Sequence, residues 1–132
     1  MAFEQPDFKY TREAGSDLSS DQYKFVKIAS DGQVDVVTVA GADHDGVLQN
    51  KPDAAGVAAE LVLSGITKCI ASGTVTKGDK ISITATGLGI LSVTDEGVGV
   101  ALDTVATGNT FTLLLKGHGR GGRVKIPSHA TV

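Results

Sequence analysis

From Tyr23 onward, no apolar segment of this chain runs far before a turn signal cuts it. Ser30-Asp31-Gly32, Gly41–Gly46, Pro52–Gly56, Thr76–Lys80, Asp95–Gly97 and Ala106–Asn109 punctuate the sequence. The segments between them are short and rich in Val, Ile, Leu and Thr. Turn signals about every 8–12 residues leave room for strands but not for the crossover helices of βαβ units, so the pattern predicts an all-β sandwich or barrel. Seventeen glycines fit a turn-rich chain, and 132 residues suffice for one domain with a core of its own. That core must come from Val, Ala, Leu and Ile, because the chain has no Trp and only four Phe and two Tyr.

The expected strands follow from this punctuation. Tyr23–Ala29 and Gln33–Ala40 flank an Asp-Gly turn, a hairpin signal because both residues tolerate positive φ. Val47–Gln49 is a short strand, and Pro52–Gly56 a turn. Val57–Leu63 has helix propensity, but Leu61–Ile70 favours one long strand with a bulge at Gly65. Lys80–Ala85, Gly89–Val93, Val98–Leu102 and Thr110–Lys116 complete the set. Phe111, Leu113 and Leu115 alternate with only two wet positions, Thr112 and Lys116, so that strand should be covered on both faces. Gly-Val-Gly-Val at 97–100 should let another backbone approach closely.

The two ends differ from the middle. Residues 1–22 keep no helical or strand period, yet hold three of the six aromatics (Phe3, Phe8, Tyr10) and five acids (Glu4, Asp7, Glu13, Asp17, Asp21) against Lys9 and Arg12. A disordered tail seldom concentrates aromatics. The expected organisation is therefore an extended N-terminal arm over 1–22, a β-barrel core over 23–116 and a Gly-rich basic tail over 117–132. Arg120, Arg123 and Lys125 lie in that tail, which has no acidic residue. Phe3, Phe8 and Tyr10 are the expected apolar anchors on a neighbour, with Arg120 and Arg123 as charged contacts at its rim.

Few motifs carry chemistry. Gly117-His118-Gly119-Arg120-Gly121-Gly122 satisfies G-x-G-x-x-G, but the residues after it end in Pro127 and start no helix for a pyrophosphate. Asp43-His44-Asp45 places three ligand types in a row; adjacent residues rarely converge on one metal, so a solvated turn is expected. No nucleophile sits in a Gly-x-Ser-x-Gly turn. Cys69 has no disulfide partner and lies in an apolar run, as a small buried filler does. Lys77-Gly78-Asp79 reads as a β-turn with Gly at positive φ. No catalytic, cofactor or metal residue is assigned, and no enzyme is expected. The net charge of −3 creates no field for nucleic acid. Lys24 and Lys27 beside Tyr23 and Phe25 are the one cluster that suits a nucleic-acid-binding barrel, which stands as the alternative. Met1–Asp7 shows no signal-peptide pattern and no apolar stretch approaches a membrane span, so a soluble product made in a cytosol is expected.

Three segments in order, Gly46-Val47-Leu48-Gln49-Asn50-Lys51-Pro52, then Thr76–Ala85, then Gly97-Val98-Gly99-Val100-Ala101-Leu102, resemble the capsid cement (decoration) proteins of tailed phages. The similarity spans roughly residues 14–116. It implies a compact β-barrel or β-tulip core and a non-enzymatic clamp on the outer surface of an assembled head. The implied partner is the major capsid protein, the implied assembly a homotrimer at threefold or local threefold positions, and the implied location the virion surface after synthesis in the host cytoplasm. The tail Gly117–Val132 departs from the family, whose members often stop after the final apolar strand.

Overall fold

The computed structural model describes residues 2, 5–41, 44–93, 96–116 and 124–125. They hold eleven strands and no helix: β1 (Gln5–Glu13), β2 (Phe25–Ile28), β3 (Val34–Val36), β4 (Gly46–Leu48), β5 (Ala58–Ile70), β6 (Lys80–Ile83), β7 (Gly89–Leu91), β8 (Glu96–Gly97), β9 (Gly99–Ala101), β10 (Thr110–Leu115) and β11 (Val124–Lys125). Eight are paired in the order β3-β2-β4-β5-β10-β9-β6-β7, and β1 pairs with β5 off that path. The sheet is antiparallel and strongly curled into a half-barrel. The all-β, small barrel-like class is thus the observed one.

The 13-residue β5 organises everything else. Its residues Leu61 and Val62 pair with β4 and also with β1, so those two strands lie on opposite edges. Gly65 and Ile66 pair with β10 and also with β1, which puts β10 opposite β1 as well. One edge of β5 therefore serves two half-sheets in succession, β4-β2-β3 and then β10-β9-β6-β7. On the other edge β1 is the paired strand, and past its end Ile70 N–H donates to Tyr23 O (3.3 Å). Ala58–Leu63 is extended: Ala59 and Leu61 face one core and Val62 the other, while Val57 lies outside the strand and is exposed.

Gly65 sits at φ +103°, a conformation that L side chains rarely adopt. Before it, even-numbered Val62 faces the core inside the half-barrel, while Ala59 and Leu61 face a second core outside. After it, odd-numbered Cys69 and Ala71 face the inner core. A strand's sides alternate with period two, so one irregular residue exchanges the faces. The register against β1 slips beside Gly65, where Ser64 pairs with Phe8 and Val62 with Lys9, so Leu63 is the residue passed over and the irregularity lies next to the bulge position expected at Gly65.

The inner core gathers Phe25, Val47, Val62, Ile81, Ile83, Phe111, Leu113 and Leu115, all at most 2% exposed. Each fully buried side chain of this size contributes about 1.5–3 kcal/mol. The curl brings the far end of the path back onto β2: Phe25 N–H donates to Gly87 O (2.8 Å), and Gly41 N–H to Ile83 O (2.9 Å). The outer core packs Val26, Val34, Leu48, Ala59 and Leu61 under Ala14 and Leu18, which come from the N-terminal segment.

Several expectations change. Residues 5–13 form a strand laid along β5 of the same chain, although they lack a strand period; five of the described side chains, at 8–11 and 13, are exposed, so the segment pairs through its main chain and leaves no apolar alternation to read. The return strand expected over Gln33–Ala40 is confined to Val34–Val36. Val124–Lys125, expected in the tail, pairs with Glu96–Gly97 as a two-stranded ribbon. Asp43-His44-Asp45 was expected to be a solvated turn. His44 is instead 3% exposed, edge-on to Phe25 with centroids 5.5 Å apart, and Asp45 Oδ2 accepts the Ile28 N–H (2.7 Å). Asp43 lies outside the described residues.

Candidate functional site

The Gly46–Pro52 motif turns out to be a joint. A Cβ on Gly46 would sit 2.5 Å from the Val62 carbonyl oxygen, so β4 can approach β5 only without a side chain there. Gln49 Nε2 donates to Thr67 Oγ1 (2.8 Å) on β5. Asn50 donates through Nδ2 to Ala58 O (2.9 Å) and accepts the Glu60 N–H through Oδ1 (3.0 Å), extending the ladder with its side chain. Pro52 O accepts the Leu18 N–H (2.8 Å), which fastens the cover of the outer core. The Thr76–Asp79 turn behaves as expected: Gly78 has φ +93°, and Asp79 Oδ2 accepts the Thr76 N–H (2.9 Å). Gly99 is the close approach of the Gly-Val-Gly-Val segment, since a Cβ there would lie 2.3 Å from Leu114 O on β10. These motifs position backbone.

Among the described residues, Cys69 and His44 are used in packing. Cys69 is fully buried, and loss of solvation pushes its thiol far up, away from the thiolate a nucleophile needs. Among the described residues no three His, Cys, Asp or Glu side chains cluster for a metal. The cluster that suited nucleic acid does not form a stacking face: Phe25 is in the core, Lys24 Nζ is held by Asp21 Oδ1 at 2.8 Å, and Lys68 Nζ lies 5.5 Å from the Tyr23 ring centroid.

What the surface does offer is apolar. Phe8 is 67% and Tyr10 43% exposed, both on β1. Tyr10 and Arg12 pair with Leu61 and Ala59, and so lie on the outer-core side of the sheet. Arg12 orders this surface. Its Nη1 donates to Tyr10 Oη (3.2 Å), its guanidinium lies 5.9 Å from the Tyr10 ring centroid, and its Nε donates to Gly32 O in the β2–β3 turn (3.0 Å). On the other face Lys9 meets Glu60 at 3.3 Å, an exposed pair of small energetic consequence. The aromatics are thus presented on a strand that is held in place, at low entropic cost for binding. Of the other expected contacts, Phe3, Arg120 and Arg123 lie outside the described residues.

A second apolar surface escaped the sequence. Val93 is 95%, Val39 61%, Leu91 46% and Ile90 37% exposed. β7 and the residues around Ala40 and Gly41 border a shallow depression of about 440 Å³, with Ile83 and Ala85 also in its lining. Its signal in the sequence is the run Gly89–Val93, apolar but for Ser92, as an interior strand would be. Only its place at the end of the sheet, outside β6, exposes it.

No family model and no curated protein matches the chain. Among solved structures, the chain is similar to the N base of the head fiber gp8.5 of bacteriophage phi29, with a TM-score of 0.68 at 16% identity. The match covers 83% of this chain and 93% of that one. At this identity the likeness is one of fold.

Proposed function

We propose that this protein is a non-enzymatic structural component of a phage head, bound to the outer surface of the assembled shell and clamping neighbouring major capsid subunits. The observation that carries this reading is the shared fold over most of both chains with a protein that is itself a phage head fiber base. The ordered motifs that resemble cement proteins support it independently, since each proves to be a packing device. Phe8 and Tyr10 are the grip, and Arg12 holds Tyr10 in place. Aromatics anchored this way are the residue type that dominates interface energetics.

The mechanism is mass action. A protein that binds assembled shell better than free subunits stabilises the shell by its own binding free energy. Copies joined at threefold positions, as the cement resemblance implies, would turn weak footprints into a strong one through effective concentration. The test is to titrate purified protein onto isolated shells and to follow shell disruption on heating. Saturation at a fixed ratio with a raised disruption temperature is the expected result. A protein that does not sediment with shells and leaves their disruption unchanged would overturn the reading.

A further inference from the structure

The face of the sheet turned away from the inner core carries an apolar row of its own. In β10, Phe111, Leu113 and Leu115 face the inner core, so Leu114 points to the opposite side. Leu114 stands directly opposite Ile66 on β5 and Val100 on β9, and residues directly opposite share a face. Lys80 on β6 continues the row beyond Val100. Ile66, Leu114 and Val100 are half-buried, and they belong to neither core. On the same face, Lys68 stands opposite Thr112. One face of β10 is thus covered by the inner core, and neither core covers the other.

Lysines rim this row. Lys80 ends it, Lys68 follows Ile66 on the same side of β5, and Lys116, exposed, follows Leu114 on the same side of its strand, which its N–H extends by donating to Val98 O (3.0 Å). Lys68 Nζ also lies 5.5 Å from the Tyr23 ring centroid, a contact that leaves its charge in place. Two nearby carboxylates are turned to other donors. Asp103 accepts the Thr112 N–H through Oδ1 (2.9 Å) and the Thr112 hydroxyl through Oδ2 (2.8 Å). Asp79, next to Lys80, accepts the Thr76 N–H through Oδ2 (2.9 Å). An aliphatic centre with a cationic rim fits a partner whose apolar contact is ringed by Asp or Glu. It disfavours a second copy of the same face, which would set lysines against lysines. It disfavours nucleic acid too, because Ile, Leu and Val offer bases no aromatic plane.

We propose that the outer face of β5, β10 and β9 is a docking surface for an acidic protein surface, with Ile66, Leu114 and Val100 as its apolar centre and Lys68, Lys80 and Lys116 as its rim. The lysines steer the encounter and set its register, and the aliphatic row supplies the desolvated contact. The footprint is small, so a single contact is weak and sensitive to salt. It uses none of the residues assigned to the grip on a shell. The inference does not rest on the capsid reading, and its test uses no shells.

The test is binding of the full chain to a labelled, capped peptide with Leu-Ile-Leu between pairs of Glu, followed by fluorescence anisotropy at low salt and located by amide NMR shifts. The expected dissociation constant is about 0.1–1 mM, rising with added salt. The shifts should centre on Ile66, Leu114 and Val100. Leu114→Ser should weaken binding about tenfold, and so should Lys80→Glu combined with Lys116→Glu, which touches no core residue and keeps the thermal transition of the parent. The same peptide with Lys in place of Glu should not bind. An acidic peptide that fails to bind overturns the proposal, as do equal binding of the Lys-flanked peptide and shifts centred on another surface. Tighter binding of a single-stranded DNA oligonucleotide at the same residues would make the face a nucleic-acid site and overturn it as well. Self-association of the parent that Leu114→Ser abolishes would assign the face to a second copy instead.

Discussion

At the scale of single residues, Cys69 and His44 look chemical but are buried in packing, and glycines carry tight constraints. Cys69 has no exposed surface, and burial raises its thiol above the ordinary value of 9.0. A raised folded value means the neutral thiol is favoured in the fold. Stability from this residue is therefore complete below about pH 9 and falls as pH rises beyond it. The native protein should resist a thiol reagent that labels the unfolded chain at once, and its labelling rate at pH 8 should track global unfolding. Gly99 is constrained by space, with a Cβ forced to 2.3 Å from Leu114 O. Gly99→Ala should cost about 1–3 kcal/mol, the range for overpacking, measured by urea denaturation. A substitution at Gly56, where a Cβ meets nothing within 4 Å, carries only the cost of its φ of +87°.

At the scale of elements, β5 is the design centre, and the stretch from Leu63 to Gly65 is where its faces exchange. Exchanging the inward face between Val62 and Cys69 lets one strand line two cores and serve two half-sheets. Gly65→Ala keeps the volume nearly constant but holds an L residue at φ +103°. The expected loss is about 1–3 kcal/mol with an unchanged denaturant slope, read as a shifted midpoint. The irregularity beside Gly65 was legible because a lone glycine inside a strand pattern marks such places. β1 was not, since its pairing with β5 is made by main chain and it presents polar or exposed side chains at 8–11. For the candidate surface, Phe8 and Tyr10 stood out as aromatics in a polar segment. Val39, Ile90, Leu91 and Val93 did not, because an apolar run looks the same in an interior strand and at the end of a sheet.

At the scale of the whole molecule, the N-terminal segment has two tasks. It carries the exposed aromatics, and it closes the outer core with Ala14 and Leu18. Removing residues 1–20 would therefore damage the fold along with the grip, and could not report on binding. Phe8→Ala and Tyr10→Ala together are the cleaner change. They should weaken shell binding by about tenfold or more, the range for truncating interface aromatics, while thermal unfolding of the free protein shifts little. Unchanged shell affinity in that double variant would remove these residues from the contact.

The sequence by itself determined the class of fold and its punctuation. Gly32, Gly78 and Gly108 sit at positive φ in the turns where they were expected, and Phe111, Leu113 and Cys69 are buried as their apolar surroundings require. These are local properties: backbone conformational freedom and hydrophobicity act at the residue that has them. The tertiary structure alone decided that β4 and β10 share one edge of β5, that His44 packs on Phe25, that Val93 stands in solvent, and that β1 pairs with β5. Each of these depends on which strand becomes the neighbour of which. Neighbours are chosen by the closure of the whole sheet, not by the residues on either side in the chain.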